Sequence, residues 1–142
     1  MKSKLFLLFL SFLVCFSIQA QDSIFGKWKT IDDATGKPRA VVEIYQKDGK
    51  AYGKIIRLFR SPEQDQDPIC DKCNGVEHNK KVIGLQILKA MEKDGDEWED
   101  GTILDTESGK VYDCKLWLED GKLMVRGYIA FFFRTQEWLP YK

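Results

Sequence analysis

Apolar and polar residues alternate along much of the chain after Gln21, and this period of two is typical of strands with one buried face. The segment from Val111 to Glu119 shows the alternation most clearly. One face carries Tyr112, Cys114, Leu116 and Leu118, and the other carries Asp113, Lys115, Trp117 and Glu119. One dry face and one wet face predict an antiparallel sheet that covers a core on a single side.

The same pattern predicts eight strands, most of them joined by short turns such as Asp48-Gly49 and Asp120-Gly121, which favour tight hairpins. The predicted strands span Phe25 to Ile31, Ala40 to Gln46, Lys50 to Phe59, Gly84 to Met91, Glu97 to Leu104, Val111 to Glu119, Lys122 to Phe133 and Thr135 to Tyr141. We therefore expect an all-β protein, a single antiparallel eight-stranded up-and-down barrel, with a β-sandwich as the alternative.

One connection is too long for a hairpin turn. The segment from Arg60 to Lys81 contains both Cys70 and Cys73 and the single histidine, His78. Long ordered loops often act as lids or binding loops, so we expect any gated site to lie here.

The first 20 residues have a different character from the rest. Lys2 and Lys4 precede an uncharged run of 14 residues, Leu5 to Ile18, which is shorter than the roughly 20 residues of a membrane-spanning helix. With Ala20 as a small residue at the end, this pattern predicts a signal peptide over residues 1–20 and a β-barrel domain over 21–142. We expect a periplasmic or secreted protein; a lipoprotein anchored through Cys15 is less favoured, because Val14 precedes the cysteine.

The charges exclude some classes of partner. Without residues 1–20 the chain has 20 basic and 22 acidic residues, a net charge of about −2, with no run of either sign. Nucleic acids and anionic lipids require a clustered positive surface, and the sequence shows none. We expect no nucleic-acid partner and no membrane span.

The spacing Cys70-x-x-Cys73 allows three interpretations. In an oxidising compartment it predicts a structural disulfide within the loop. A redox-active pair is less favoured because such a pair normally opens a helix. A zinc site with His78 and Cys114 is also less favoured, because the strand pattern buries Cys114 and zinc sites usually have two tight ligand pairs. We therefore expect no metal and no cofactor.

Two other sets of polar residues are candidates for chemistry. Asp105, Glu43 and Arg126 would support acid–base catalysis only if the fold brought them together, and Asp105 before a turn more commonly accepts backbone hydrogen bonds. An enzyme is less favoured than a binding protein. The acidic loop residues Glu63, Asp65, Asp67 and Asp71 lack the spacing of a calcium-binding EF-hand.

Aromatic residues are abundant and are the best candidates for a ligand pocket. We predict that Tyr52, Tyr112, Tyr128 and Phe132 contact a small apolar or amphipathic ligand inside the barrel, although aromatic side chains also fill barrel cores. Because neighbours in a strand alternate faces, the run Phe131-Phe132-Phe133 cannot be entirely inside. An exposed part of that run would be a candidate interaction surface for an envelope protein.

Two sets of motifs resemble known families. Gly26-Lys27-Trp28 with the late Arg134 resembles the lipocalin or calycin signature, which implies a structural role in which the arginine lies across the tryptophan at the closed end of the barrel. A longer, ordered set resembles the exported bacterial domain of unknown function 2147 family. That set includes Gly26 to Asp33, Val42 to Tyr45, Tyr52 to Ile55, Cys70 to Cys73, Gly84-Leu85, Gly101 to Asp105, Gly109 to Tyr112, Val125 to Tyr128 and Arg134 to Trp138.

The second resemblance covers essentially the whole chain after Gln21. It implies a small exported lipocalin-like β protein and no particular activity. Three hypotheses follow: a module that binds a small apolar or amphipathic ligand, an interaction protein with a packed barrel, and a thiol-redox or zinc protein that uses Cys70 and Cys73.

Overall fold

The computed structural model describes residues 22–142, so the predicted signal peptide and Cys15 lie outside the described residues. Eight strands form a closed barrel in which every strand is antiparallel to its neighbours in the sequence, β1 to β8. The strands are β1 Gly26–Ile31, β2 Pro38–Lys47, β3 Lys50–Leu58, β4 Gln86–Asp94, β5 Glu97–Leu104, β6 Val111–Glu119, β7 Lys122–Ile129 and β8 Phe132–Pro140. The predicted barrel is confirmed, and the sandwich alternative is wrong.

No helix within residues 22–142 combines the length and the apolar character that a membrane crossing requires.

Tight turns join the strands at one end of the barrel. In the β2–β3 and β6–β7 turns, an aspartate and a glycine both adopt positive φ: 51° and 76° at Asp48-Gly49, and 50° and 74° at Asp120-Gly121. Aspartate and glycine tolerate this left-handed conformation, which matches the twist of the flanking strands. We call this end the closed end.

The barrel is packed solid towards the closed end. Trp28 is fully buried, and its indole Nε1 donates a hydrogen bond of 2.7 Å to the carbonyl of Ile24, which satisfies its polar atom. Gly53 faces inward, and a Cβ placed there would meet Leu88 and Val42 at 3.0–3.2 Å, so this part of the interior has no spare room. Other fully buried side chains of this core are Ile44, Met91, Leu116 and Leu123.

The barrel closes through a short seam between β1 and β8. Two residue pairs form this ladder, Trp28 with Pro140 and Lys29 with Leu139. Beyond them, the carboxylate of Asp33 accepts hydrogen bonds from Arg134 and, at 3.1 Å, from Gln136. Side chains rather than a backbone ladder therefore hold the seam together towards the opposite end, which we call the mouth.

The predicted strand from Lys122 to Phe133 is wrong at its end. β7 stops at Ile129, β8 starts at Phe132, and Ala130 and Phe131 form the turn between them. Ala130 has a φ of 51°, a conformation that alanine rarely adopts. All three phenylalanines are therefore at a hairpin tip instead of in a strand interior.

The segment between β3 and β4 folds back against the barrel. It contains one short 3₁₀ helix, Gly75–Glu77, and a disulfide between Cys70 and Cys73. Cys70 donates its backbone N–H to the carbonyl of Lys80 at 2.8 Å, and Asn79 donates to the carbonyl of Cys70 at 2.9 Å. Both cysteines are buried, so the loop has a compact core of its own that adjoins the core of the barrel.

Candidate functional site

A cavity of about 620 Å³ opens at the mouth. It extends into the barrel to an apolar floor on several strands, formed by Val42, Ile55, Ile87, Ile103, Val125 and Trp138. The other four connections surround it: the longer β1–β2, β3–β4 and β5–β6 connections and the two-residue β7–β8 turn. Alternate hairpins of an up-and-down barrel point the same way, so the short turns close one end and these connections frame the other.

Charged side chains form the rim of this cavity. Arg39 contacts carboxylates on both sides, at 3.8 Å from Asp32 and in a closer ion pair with Glu107. Lys37 and Arg60 also line the opening. Within residues 22–142, neither of these two cations has a carboxylate partner, and Arg60 donates only to the backbone carbonyl of Asp65, at 3.2 Å. The rim therefore carries positive charge that is available to a ligand.

The β1–β2 and β5–β6 connections have the same local structure. In the first, the backbone N–H groups of Ala34 and Thr35 donate to Oδ1 of Asp32 at 3.0 and 2.8 Å. The hydrogen bond from the Thr35 backbone is the main reason that the pKa of Asp32 lies below its usual value. Gly36 then adopts a φ of 68° and donates to the Asp32 carbonyl.

The second connection repeats these contacts with Asp105. Glu107 donates its backbone N–H to Oδ1 of Asp105 at 3.0 Å, the hydroxyl of Ser108 donates to Oδ2 at 2.7 Å, and Gly109 has a φ of 72°. The predicted turn role of Asp105 is confirmed. Sequence reasoning missed the repeat, although the signal is visible as Asp-x-x-Thr-Gly-Lys and Asp-x-x-Ser-Gly-Lys.

Arg134 does not occupy the position that the lipocalin signature implies. Its side chain is 67% exposed and pairs with Asp33 at the mouth, whereas Trp28 is fully buried. Trp28 pairs with Pro140, six residues further along β8, a distance of roughly 20 Å along a strand. Gly26 precedes Trp28 with a φ of 127°, a conformation that favours glycine.

Of the four predicted ligand-binding aromatics, the structure brings only Tyr112 to the cavity. Tyr52 lies outside the barrel, because its neighbours Ala51 and Gly53 are the inward residues of β3, and it stacks on Tyr45 with 6.1 Å between ring centroids. Tyr128 also faces outward, next to Phe133. Assigning these two tyrosines to the pocket was wrong, because the inward positions next to them belong to Ala51, Gly53 and Gly127.

Phe132 is not in the cavity either. It is 76% exposed at the β7–β8 tip, between Phe131 at 99% and Phe133 at 60%. Ile129, its partner across the hairpin, is 52% exposed and lines the edge of the cavity. The tip is thus an exposed apolar surface that adjoins the mouth.

The cysteines are in the state that the structural interpretation predicts. Cys70 and Cys73 form a disulfide, with both residues at most 2% exposed. Cys114 is free and buried in the barrel, where burial raises the pKa of its thiol to about 12. His78 is exposed, with its Nδ1 2.9 Å from the carbonyl oxygen of Cys73. Among residues 22–142, no three histidine, cysteine or acidic side chains converge as metal ligands would.

The three residues considered for acid–base catalysis do not share a site. Glu43 is paired with Lys54 on the outer surface at 3.4 Å, and the Asp105 carboxylate accepts hydrogen bonds within its own turn. Arg126 lies outside the barrel between two rings, with its guanidinium carbon 4.2 Å from the centroid of Phe133 and 4.9 Å from that of Trp117. A reacting group in the cavity would not contact all three.

A solved structure shares this fold. Protein HP1028 from the human pathogen Helicobacter pylori, described as belonging to the lipocalin family, superposes with a TM-score of 0.71 at 17% sequence identity, over 84% of each chain. At this identity the likeness concerns the fold alone. No curated protein matches the chain. The family model described as uncharacterized protein conserved in bacteria (DUF2147) matches residues 26–139, and the chain belongs to this family.

Proposed function

We propose that this protein binds a small amphipathic molecule in the mouth cavity. The observation that carries the proposal is the cavity itself: about 620 Å³, with an apolar floor and a charged rim. Ligand pockets generally span roughly 300–1,000 Å³ and combine apolar walls with a few polar groups. The lipocalin-like barrel supports a binding role only by analogy of fold.

The arrangement of the walls favours one orientation and one chemical class. An apolar body would lie against Ile55, Ile103 and Trp138, while a polar head would remain at the rim. Lys37 and Arg60 have no carboxylate partner within residues 22–142, so they favour an anionic head group. The ligand class we propose is therefore an amphipathic anion, such as a long-chain carboxylate.

We also propose that binding takes place outside the cytoplasm. The charged start and short apolar run of residues 1–20 support export. The Cys70–Cys73 disulfide is consistent with the same compartment, because disulfides persist in oxidising environments.

Filling the cavity tests the proposal. A Cβ at Gly127 would meet only Tyr112 at 3.8 Å and Ile103 at 4.0 Å, which are ordinary contacts, so this inward position accepts a side chain. Gly127→Phe places a ring in the cavity, whereas Gly127→Ala adds one methyl group to the same wall. Gly53, in the packed half, is unsuitable for this purpose because a side chain there has no room.

The probe is parinaric acid, a fluorescent long-chain carboxylate, titrated into the exported protein. We expect Gly127→Phe to raise the Kd at least about tenfold and Gly127→Ala to change it by less than about threefold. Circular dichroism checks that both variants fold, and Gly127→Leu replaces the phenylalanine if it does not. Absence of binding by the unmodified protein, or equal affinity in all variants, would show that the cavity is not the site.

Native mass spectrometry of protein recovered from its own cells gives an independent readout. An added mass that disappears on denaturation, and that Gly127→Phe lacks, would identify the natural ligand by its mass. A bare protein in both forms would instead favour the hypothesis of a protein that recognises a macromolecular partner.

A further inference from the structure

We propose that the β7–β8 hairpin is a membrane-docking element, which inserts its tip into the interface of a phospholipid bilayer. The aromatic tip consists of Ile129, Phe131, Phe132 and Phe133, with exposed fractions of 52%, 99%, 76% and 60%. Large apolar side chains this exposed, and in one continuous group, usually mark an interaction site. The proposal goes beyond ligand binding and names the surface that the aromatic tip contacts.

The shape of the tip favours a bilayer over a protein surface. Phe132 pairs with Ile129 on the inward side of the hairpin, while Phe133 pairs with Tyr128 on the outward side, and Phe131 projects from the turn between them. The tip is therefore apolar on both faces. A protein partner would cover one face of such a hairpin, whereas a bilayer surrounds an inserted tip from all sides.

The area of the tip argues against a second copy of this chain as the partner. A fully buried aromatic side chain contributes about 150–250 Å², so the exposed parts of the three phenylalanines amount to roughly 500 Å². A stable protein interface buries about 800 Å² on each partner. The aromatic tip alone falls short of that, while partial insertion into a bilayer needs no such area.

The residues next to the aromatic tip are of the types found at the headgroup level of a membrane. Tyr128, Trp117 and Arg126 are outside the barrel next to Phe133, with the Arg126 guanidinium between the Trp117 and Phe133 rings. Tyrosine and tryptophan are typical of the headgroup level, and arginine reaches the phosphates from there. In the tip-side part of the hairpin, from Val125 to Gln136, the chain has two basic residues, Arg126 and Arg134, and no acidic one, which complements lipid phosphates.

The aromatic tip also adjoins the cavity, because both Ile129 and Arg134 line it. A docked tip would hold the mouth at the lipid surface. If the proposed ligand binding is correct, an amphipathic ligand would pass between bilayer and cavity without crossing much water. This last step rests on the proposed function, whereas docking itself does not.

A fluorescent label at the tip tests the docking directly. Within residues 22–142, Phe131→Cys offers one reactive thiol, since Cys70 and Cys73 are in the disulfide and Cys114 is 3% exposed. The label is an environment-sensitive nitrobenzoxadiazole group, and the lipid is phosphatidylcholine vesicles. Asp96→Cys, in an exposed turn at the closed end, carries the same label as the matched control.

We expect the emission at position 131 to shift to the blue and to increase at least about twofold on addition of vesicles, with no change at position 96. No change at position 131 would overturn the proposal, and so would equal changes at both positions. A shift that needs no vesicles and grows with protein concentration would identify a second copy as the partner and would also overturn it.

Sedimentation with the same vesicles gives a second readout. We expect Phe131→Ser with Phe132→Ser to lower the partition coefficient at least about tenfold, because apolar area is lost from the inserted part. Val76→Ser removes another exposed apolar side chain, 74% exposed on the β3–β4 segment, and should leave partitioning within about twofold of the unmodified protein. Equal losses in both variants, or none in either, would contradict docking by the tip. No ligand is present, so the outcome is independent of the cavity.

Discussion

Gly109 lies directly against the backbone carbonyl of Lys72, and a Cβ at position 109 would overlap that carbonyl. The contact joins the β5–β6 turn to the disulfide loop between β3 and β4. The disulfide sulfur of Cys70 also lies near this turn, 3.5 Å from the carbonyl oxygen of Thr106. Two connections that are distant in sequence therefore form one continuous side of the mouth.

The twin turns provide a matched test of this contact. Gly36 and Gly109 have almost the same φ, 68° and 72°, but a Cβ at Gly36 would meet nothing within 4 Å. We expect Gly36→Ala to lower the free energy of unfolding by about 1 kcal/mol through backbone strain alone. Gly109→Ala should lower it by at least about 2 kcal/mol more, because backbone must move. Urea denaturation measures both, and equal losses would show that the loop contact contributes nothing.

The seam between β1 and β8 should govern ligand exchange more than stability. Asp33→Asn weakens an exposed ion pair with Arg134, which typically contributes less than about 1 kcal/mol. We expect the dissociation rate of parinaric acid to rise several-fold, because the seam opens into the cavity. Glu137→Gln is the control, since it removes a 2.7 Å pair with Lys122 within the β7–β8 ladder. Unchanged dissociation in Asp33→Asn, measured by stopped-flow fluorescence, would contradict a role for the seam.

The disulfide should act on stability and not as a redox centre. Replacing Cys70 and Cys73 together by serine removes a crosslink over a very short loop, which costs about 2 kcal/mol in the chain-entropy account. Urea denaturation with reductant should bring the unmodified protein to the stability of the variant. Because both sulfurs are buried, we expect no reduction of insulin disulfides by the native protein. Turnover of insulin that the double variant lacks would restore the thiol-redox hypothesis.

The backbone of the turn at the aromatic tip is strained at Ala130, and a substitution there should relieve the strain. Ala130 has a φ of 51°, and the other residues with positive φ outside glycine are aspartate, asparagine and Ala90. Ala130→Gly should raise the free energy of unfolding by up to about 1 kcal/mol, because glycine adopts this conformation without a Cβ clash. Ala34→Gly, at a mouth position without positive φ, should lower it by about 0.5–1 kcal/mol. A loss in both variants, measured by thermal unfolding, would mean that Ala130 is unstrained.

The buried thiol should make stability depend on pH in the alkaline range. The pKa of the Cys114 thiol is about 12 in the folded protein, against an ordinary value of 9.0. Between these values the unfolded chain has lost the proton that the folded chain keeps, so the stability contributed below pH 9 is lost as the pH rises. The loss should approach about 1.4 kcal/mol per pH unit.

Comparison with Cys114→Ala isolates this effect from the titration of lysines and tyrosines. The difference in unfolding free energy between the two proteins should be constant up to about pH 9 and then fall steadily. Parallel curves up to pH 11 would contradict a buried neutral thiol.

The strand count and most turns could be predicted because the sequence specifies them locally. Asp48-Gly49 and Asp120-Gly121 supply residues that accept positive φ, and the alternation in β6 correctly places Tyr112 and Cys114 inside. The β7–β8 turn was missed for the opposite reason. Ala130-Phe131 contains no turn residue, so its conformation is imposed by the pairing of β7 with β8.

The lining of the cavity was harder to predict because it depends on volume rather than polarity. Ala51 and Gly53 take the inward positions of β3, where Leu88 and Val42 leave no room for more. Gly127 is the inward residue next to Tyr128 on β7, although a side chain there would have room. The alternation of the strands therefore leaves Tyr52 and Tyr128 outside. Hydrophobicity alone assigns the tyrosines to the interior, and only the three-dimensional packing reverses that assignment.

The separation between a packed half and an open half has a consequence for engineering. The closed-end turns and the buried core around Trp28 do not include the cavity-wall residues Ile103, Tyr112 and Gly127, which are only half-buried. A combinatorial library confined to those wall positions would change which molecules fit, while it would leave the buried core and the turn residues of the closed end unchanged. Substitutions in the cavity wall would therefore change the ligand specificity of the barrel while its architecture stays the same.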